Sequence, residues 1–205
     1  TDGSLLLDLR YTGYGIRPGK YELEGLPAFH GQGWETLSVI LRDPSSGVEV
    51  ELLYGVCEED DLITRAARLS NRGSGDVRLC QAMSLCLDLS RADLDLITFD
   101  GGHVRERNLD RAPLRPGVQG VGSVRGTSSH QHNPFVILCE RGAGEDHGLC
   151  YGAALLYSGN FIAQAERSQF ADTRLVMGIH PHHFRWTLAP GETFTAPEAA
   201  LVCSP

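Results

Sequence analysis

The chain has 205 residues, 41% of them hydrophobic and 21% charged, with a formal net charge of −8 at pH 7. These values describe one folded domain spanning the chain and exclude a disordered one. The acidic balance argues against nucleic-acid and anionic-membrane partners and leaves neutral ones open.

No run reaches the ~18 apolar residues of a spanning helix, and no signal-peptide core opens the sequence. Thr1 stands where a Met would start a gene product, so the expectation is a processed or excised piece.

The dominant periodicity is two, the signature of strands. A first hairpin is predicted over Trp34–Arg42 and Val48–Cys57, joined by the turn Asp43-Pro44-Ser45-Ser46-Gly47. Val48, Val50, Leu52, Tyr54 and Val56 line one face of it, with Glu49 and Glu51 on the other. A second turn, Asn71-Arg72-Gly73-Ser74-Gly75-Asp76, separates strands predicted over residues 62–70 and 77–89. In the latter, Val77, Leu79, Gln81, Met83, Leu85, Leu87 and Leu89 alternate with small or polar residues. Such a strand would extend ~44 Å.

Further strands are predicted over 95–99, 103–109, 135–140, 148–157, 161–168, 174–179, 183–188 and 195–203. Residues 112–133, broken by prolines and glycines, read instead as one irregular stretch, and such stretches are more often functional than idle. About twelve strands joined by short turns, with no helix beyond two turns, give an all-β fold. The expectation is a large antiparallel two-sheet β-sandwich.

Six cysteines, Cys57, Cys80, Cys86, Cys139, Cys150 and Cys203, are scattered without a close pair or zinc spacing. Reduced thiols in a cytoplasmic protein are expected. His130 with His132 and His180 with His182 stand at i, i+2, which in a strand would aim both rings to one face, as some metal sites do. Pro134 and Pro181 spoil that geometry and no carboxylate or cysteine sits at ligand spacing, so turn-capping histidines are the better reading and no metal is assigned.

Ser128 and Ser129 beside His130 lack a nucleophile elbow, and adjacency does not supply a triad's geometry. The acidic pairs Asp60/Asp61, Asp93/Asp95 and Glu145/Asp146 read as solvated charge in turns or on polar faces. No catalytic residue and no cofactor is assigned. Trp34, Phe135, Tyr157, Phe161, Phe184 and Trp186 read as core rather than as a stacking platform.

The run Arg125-Gly126-Thr127-Ser128-Ser129-His130-Gln131-His132-Asn133-Pro134-Phe135, followed by Leu156-Tyr157-Ser158-Gly159-Asn160-Phe161, resembles the N-terminal sandwich of the family 36 glycoside hydrolases, the bacterial α-galactosidases. The resemblance extends to Gly19-Lys20, Leu26-Pro27-Ala28-Phe29, Glu35-Thr36-Leu37, the stretch from Arg65 to Asn71, and Glu198 through Val202. It also takes in Thr98-Phe99-Asp100-Gly101 with Glu106-Arg107, although Gly102-His103 stand where the family commonly has a tryptophan. Gly178-Ile179-His180-Pro181 with Phe184-Arg185-Trp186 match too, with His180 in place of an asparagine.

The resemblance implies a β-supersandwich that packs on a catalytic (β/α)8 barrel and helps build homo-oligomers. In the parent enzyme two barrel aspartates would hydrolyse terminal α-1,6-galactosides such as melibiose or raffinose with retention. Neither aspartate's motif occurs here, and the family's substrate-reaching loop lies upstream of Thr1. The chain is therefore expected to be inert alone and to lack its first strands. Its binding residues, facing barrel or substrate, are expected in the polar loop: Arg125, Ser128, Ser129, His130, Gln131 and Asn133. The alternatives are a stand-alone carbohydrate-binding sandwich, which would present a row of exposed aromatics on one sheet face, and a purely structural oligomerisation module.

Overall fold

The computed structural model describes residues 6–205, and every regular element in them is a strand. The first eight are β1 (Arg10–Pro18), β2 (Trp34–Arg42), β3 (Val48–Cys57), β4 (Leu62–Asn71), β5 (Val77–Leu79), β6 (Met83–Leu89), β7 (Leu94–Gly102) and β8 (Arg105–Pro113). The others are β9 (Gly117–Ser123), β10 (His132–Glu140), β11 (Cys150–Leu155), β12 (Phe161–Arg167), β13 (Thr173–Ile179), β14 (Trp186–Leu188), β15 (Thr193–Thr195) and β16 (Ala199–Ser204). None of the described elements is a helix long and apolar enough to cross a membrane.

A ten-stranded sheet runs β1-β2-β3-β4-β16-β11-β10-β7-β8, with β15 paired to β4 beside this path. One of its faces is covered by a three-stranded sheet, β12-β13-β6, and a two-stranded one, β14-β5. The ladders are antiparallel. This is the large antiparallel sandwich that the alternation predicts.

The main core lies between the layers. Leu94, Val136, Leu138 and Ala153 of the large sheet meet Phe161, Ala163, Leu175 and Met177 of the small one. A second cluster sets Val48, Val50, Ala67, Leu69 and Phe194 of the large sheet against Leu79 and Leu188 of the two-stranded one. The opposite face of the large sheet carries two smaller clusters, around Tyr21 and Leu53 and around Ile97 and Cys139.

The predicted hairpin is present to the residue. Its turn is held by Asp43, whose carboxylate accepts from the Ser45 amide and hydroxyl and from the Ser46 hydroxyl.

Four predicted stretches differ from expectation by more than shifted ends. The 77–89 strand is broken at Cys80-Gln81-Ala82: β5 pairs with β14 and packs in the second cluster, whereas β6 pairs with β13 and packs in the main core. Alternation survives the break because both halves keep one face inward; what changes is the sheet. The 195–203 strand is interrupted by Pro197, which has no N–H to give a ladder, and becomes β15 and β16. In the 183–188 strand only β14 pairs, because Phe184 N donates to Pro181 O in a turn.

The fourth difference is the 112–133 stretch, which is not irregular throughout. It contains the end of β8 and the whole of β9, which runs beside β12. Gly120 and Gly122 lie so close to the β12 backbone that a Cβ on either would overlap the carbonyls of Ala163 and Phe161. The glycines that mask the strand in sequence are what let it sit there.

β1 was not predicted. Thr12 is an extra residue opposite Ile40, so the register shifts between Tyr11 and Gly13. Tyr11, Tyr14 and Ile16 then pair with Leu41, Val39 and Leu37 and share one face despite their uneven spacing. All three are exposed.

Candidate functional site

The loop 125–133 links β9 to β10 and is held by its own side chains and by the turn 157–160. Asn160 Oδ1 accepts from the Gly126 amide at 2.6 Å, where the backbone is left-handed. Ser128 donates its amide to Ser158 O at 2.9 Å and its hydroxyl to Tyr157 O at 3.3 Å. Ser123 Oγ donates to Thr127 O, closing the near end. The two segments that carry the resemblance in sequence are thus one folded unit in space.

At the far end Ser129 and His132 exchange backbone hydrogen bonds, and Ser129 Oγ accepts from the Gln131 amide. Gln131 O takes the Gly101 amide, and Asn133 Nδ2 donates to Phe99 O at 3.2 Å. His132 Nδ1 is buried with no hydrogen-bond partner among the described residues.

The six predicted residues therefore divide. Ser128, Ser129 and Asn133 spend their side chains on backbone. Arg125, His130 and Gln131 stand exposed, and their side chains have no partner among the described residues. A guanidinium, an imidazole and a carboxamide facing outward can hydrogen-bond a polar partner. Among the described residues no base is hydrogen-bonded to the Ser128 or Ser129 hydroxyl, the contact by which a serine nucleophile is activated.

The other sequence candidates fall as follows. His180 Nδ1 accepts from the His182 amide, and the three rings at 180–183 pack on one another. Among the described residues no group of three His, Cys, Asp or Glu is placed to hold a metal ion. Asp95 is not solvated as expected: it is buried in β7 and bound by Arg111 Nε at 2.8 Å. Trp34 and Phe161 are core, but Trp186 is 50% exposed, at the edge of a sheet only two strands wide.

Sequence reasoning missed a second cluster. Lys20 Nζ is ion-paired with Glu198 Oε1, and their side chains are 6% and 0% exposed. Glu198 Oε2 accepts from the Phe29 amide at 2.7 Å. The ammonium lies 3.3 Å from the Tyr21 ring centroid and 5.2 Å from that of Trp34, and Tyr21 OH donates to Thr64 Oγ1. Burial lowers the Lys20 pKa, against the pull of Glu198. The signal was present as the separate motifs Gly19-Lys20, Leu26-Pro27-Ala28-Phe29 and Glu198 through Val202, but nothing in them says they meet. Glu198 O also accepts from Leu156 N, so this cluster abuts the turn that anchors the polar loop.

Residues 1–189 match the family model described as the glycosyl hydrolase family 36 N-terminal domain. The chain is 50% identical over 196 residues to the bifunctional alpha-galactosidase/sucrose kinase AgaSK of Mediterraneibacter gnavus, covering 95% of this chain and 21% of that protein. It is 46% identical over 206 residues to alpha-galactosidase AgaA of Geobacillus stearothermophilus, covering 99% of this chain and 28% of that one. The crystal structure of AgaA superposes with a TM-score of 0.97 over 99% of this chain and 29% of its own. The chain thus spans between a fifth and a third of the length of these relatives.

Proposed function

The chain belongs to the glycosyl hydrolase family 36 N-terminal domains, and from that premise we propose that it is the accessory sandwich of an α-galactosidase. The observation that carries this is a likeness that covers 99% of the chain but only 28% of AgaA, a named α-galactosidase. The parent protein would hydrolyse terminal α-galactosides such as melibiose and raffinose by a retaining mechanism, with both carboxylates on a (β/α)8 barrel outside this chain. Solved complexes of Geobacillus stearothermophilus AgaA variants with raffinose and stachyose support that substrate class.

In this reading the loop 125–133 faces the barrel, and Arg125, His130 and Gln131 supply its contacts because they alone among the six keep unspent side chains. Six free thiols favour a reducing, cytoplasmic setting.

We also propose a homo-oligomer. The face of β1 that bears Tyr11, Tyr14 and Ile16 continues into the partly buried Leu37, Val39 and Leu41 of β2. Two aromatics in a row would suit a sugar platform, the carbohydrate-binding alternative. The four aliphatic neighbours offer a sugar's hydroxyls nothing to bond, so a second protein surface fits this face better.

The test is isothermal titration of the purified chain with galactose and raffinose, beside a nitrophenyl-α-galactoside turnover assay on the chain and on the full-length protein. Turnover by the full-length protein alone, with no heat from the chain, is the expected result. Sub-millimolar binding by the chain would favour the carbohydrate-binding reading. Turnover by the chain would overturn the accessory role.

A further inference from the structure

Cys139 and Cys150, eleven positions apart in sequence, are directly opposite each other on the antiparallel strands β10 and β11. Glu140 N donates to Leu149 O, so the 140/149 pair is hydrogen-bonded and the adjacent Cys139/Cys150 pair is a non-hydrogen-bonded one. Such pairs hold their Cα atoms ~4.5 Å apart with side chains close, inside the span that a disulfide bridges. Both thiols are free, Cys139 is fully buried and Cys150 is half-buried. They lie on the sheet face that carries Ile97, Ala143 and Arg111.

Arg111 gives the pair its electrostatics. Its guanidinium binds Asp95 and the carbonyls of Glu140, Arg141 and Ala143, which fixes it over the turn that joins the two cysteine strands. Burial pushes the Cys139 thiol up, and the nearby Arg111 cation opposes that. Cys150 Sγ points at Gly148 O at 3.5 Å, a long contact that a thiol gives up easily.

We propose that Cys139 and Cys150 form a redox-modifiable dithiol that closes into a cross-strand disulfide when the protein meets a peroxide-class oxidant. Cys150, the more exposed of the two, reacts first: its thiol gives up its proton, the thiolate attacks a peroxide oxygen, the O–O bond breaks, and the expelled hydroxide takes that proton, leaving Cys150 sulfenic acid and one water. The Cys139 thiol then attacks the sulfenic sulfur, the S–O bond breaks, and a second water leaves. The two thiols lose two electrons and two protons, and hydrogen peroxide is reduced to water. A small dithiol reverses the step by thiol–disulfide exchange. The product staples the hairpin whose opposite end carries the polar loop and the turn 157–160.

The test is peptide mapping of the native full-length protein after brief hydrogen peroxide treatment and alkylation. Trypsin cuts after Arg125, Arg141 and Arg167, so the two cysteines fall on separate peptides. The expected result is one linked species, lighter by two hydrogens than the sum of its parts, lost on dithiothreitol and absent from Cys150→Ser. In Cys139→Ser, dimedone should label Cys150 as a trapped sulfenic acid. Two alkylated peptides while the exposed Cys80, Cys86 and Cys203 oxidise would overturn the proposal, as would a link that forms only in urea. Absence of the dimedone adduct would overturn the assignment of Cys150 as the first thiol to react.

Discussion

Glu198 is fully buried, and its carboxylate is held by Lys20 and the Phe29 amide. Removing one partner of a buried ion pair leaves an uncompensated charge, which costs about 3–5 kcal/mol. Lys20→Met should therefore lower unfolding free energy by that order in urea titration, and adding Glu198→Gln should recover part of the loss. Asp43 makes a different test. Hydrogen bonds, first from the Ser45 hydroxyl and then from its amide, lower its pKa from 3.8 to about 2. A carboxyl depressed on folding contributes stability that is present above the unfolded value and lost as pH falls through the folded one. The wild type should thus lose stability between pH ~4 and ~2 more steeply than Asp43→Asn, as acid titration followed by circular dichroism would show. Asp43 was legible as a turn residue because its partners are two and three positions away. Lys20 and Glu198 are 178 positions apart, and no local pattern joins them.

Alternation placed β2 and β3 to the residue because both faces of that hairpin meet distinct environments. It failed at residues 77–89 because period two states which side chains point inward and says nothing about which sheet receives them. β1 escaped notice for a related reason: its bulge spaces Tyr11, Tyr14 and Ile16 unevenly, and only pairing with β2 restores them to one face. β9 hid behind its glycines. A Cβ on Gly120 would overlap Ala163 O and lie 2.7 Å from Gln164 Cα, both backbone atoms that cannot step aside. Gly120→Ala should cost about 1–3 kcal/mol as overpacking. Gly13→Ala, where a Cβ meets nothing within 4 Å, should stay within ~0.5 kcal/mol. Urea midpoints of the two variants check both.

At the scale of the molecule, β1 is the end strand of the large sheet among the described residues and bears an exposed tyrosine face. If that face is the oligomer contact, Tyr14→Glu in the full-length protein should shift sedimentation toward smaller species without changing the melting temperature. An unchanged sedimentation profile would count against it. The polar loop was legible as a folded unit, since its Ser, Asn and Gly residues are those that satisfy backbone in turns. Which side chains remain for a partner was not, because that depends on the turn 157–160, which follows β10 and β11 in the chain, folding back against the loop. The sequence by itself determined the all-β class, most strands and the family resemblance, because period-two burial and turn chemistry act over a few residues. Only the tertiary structure decided that β16 inserts between β4 and β11, that Lys20 meets Glu198, and that Cys139 faces Cys150. Those contacts follow from sheet order and register, which long-range packing sets and no local pattern encodes.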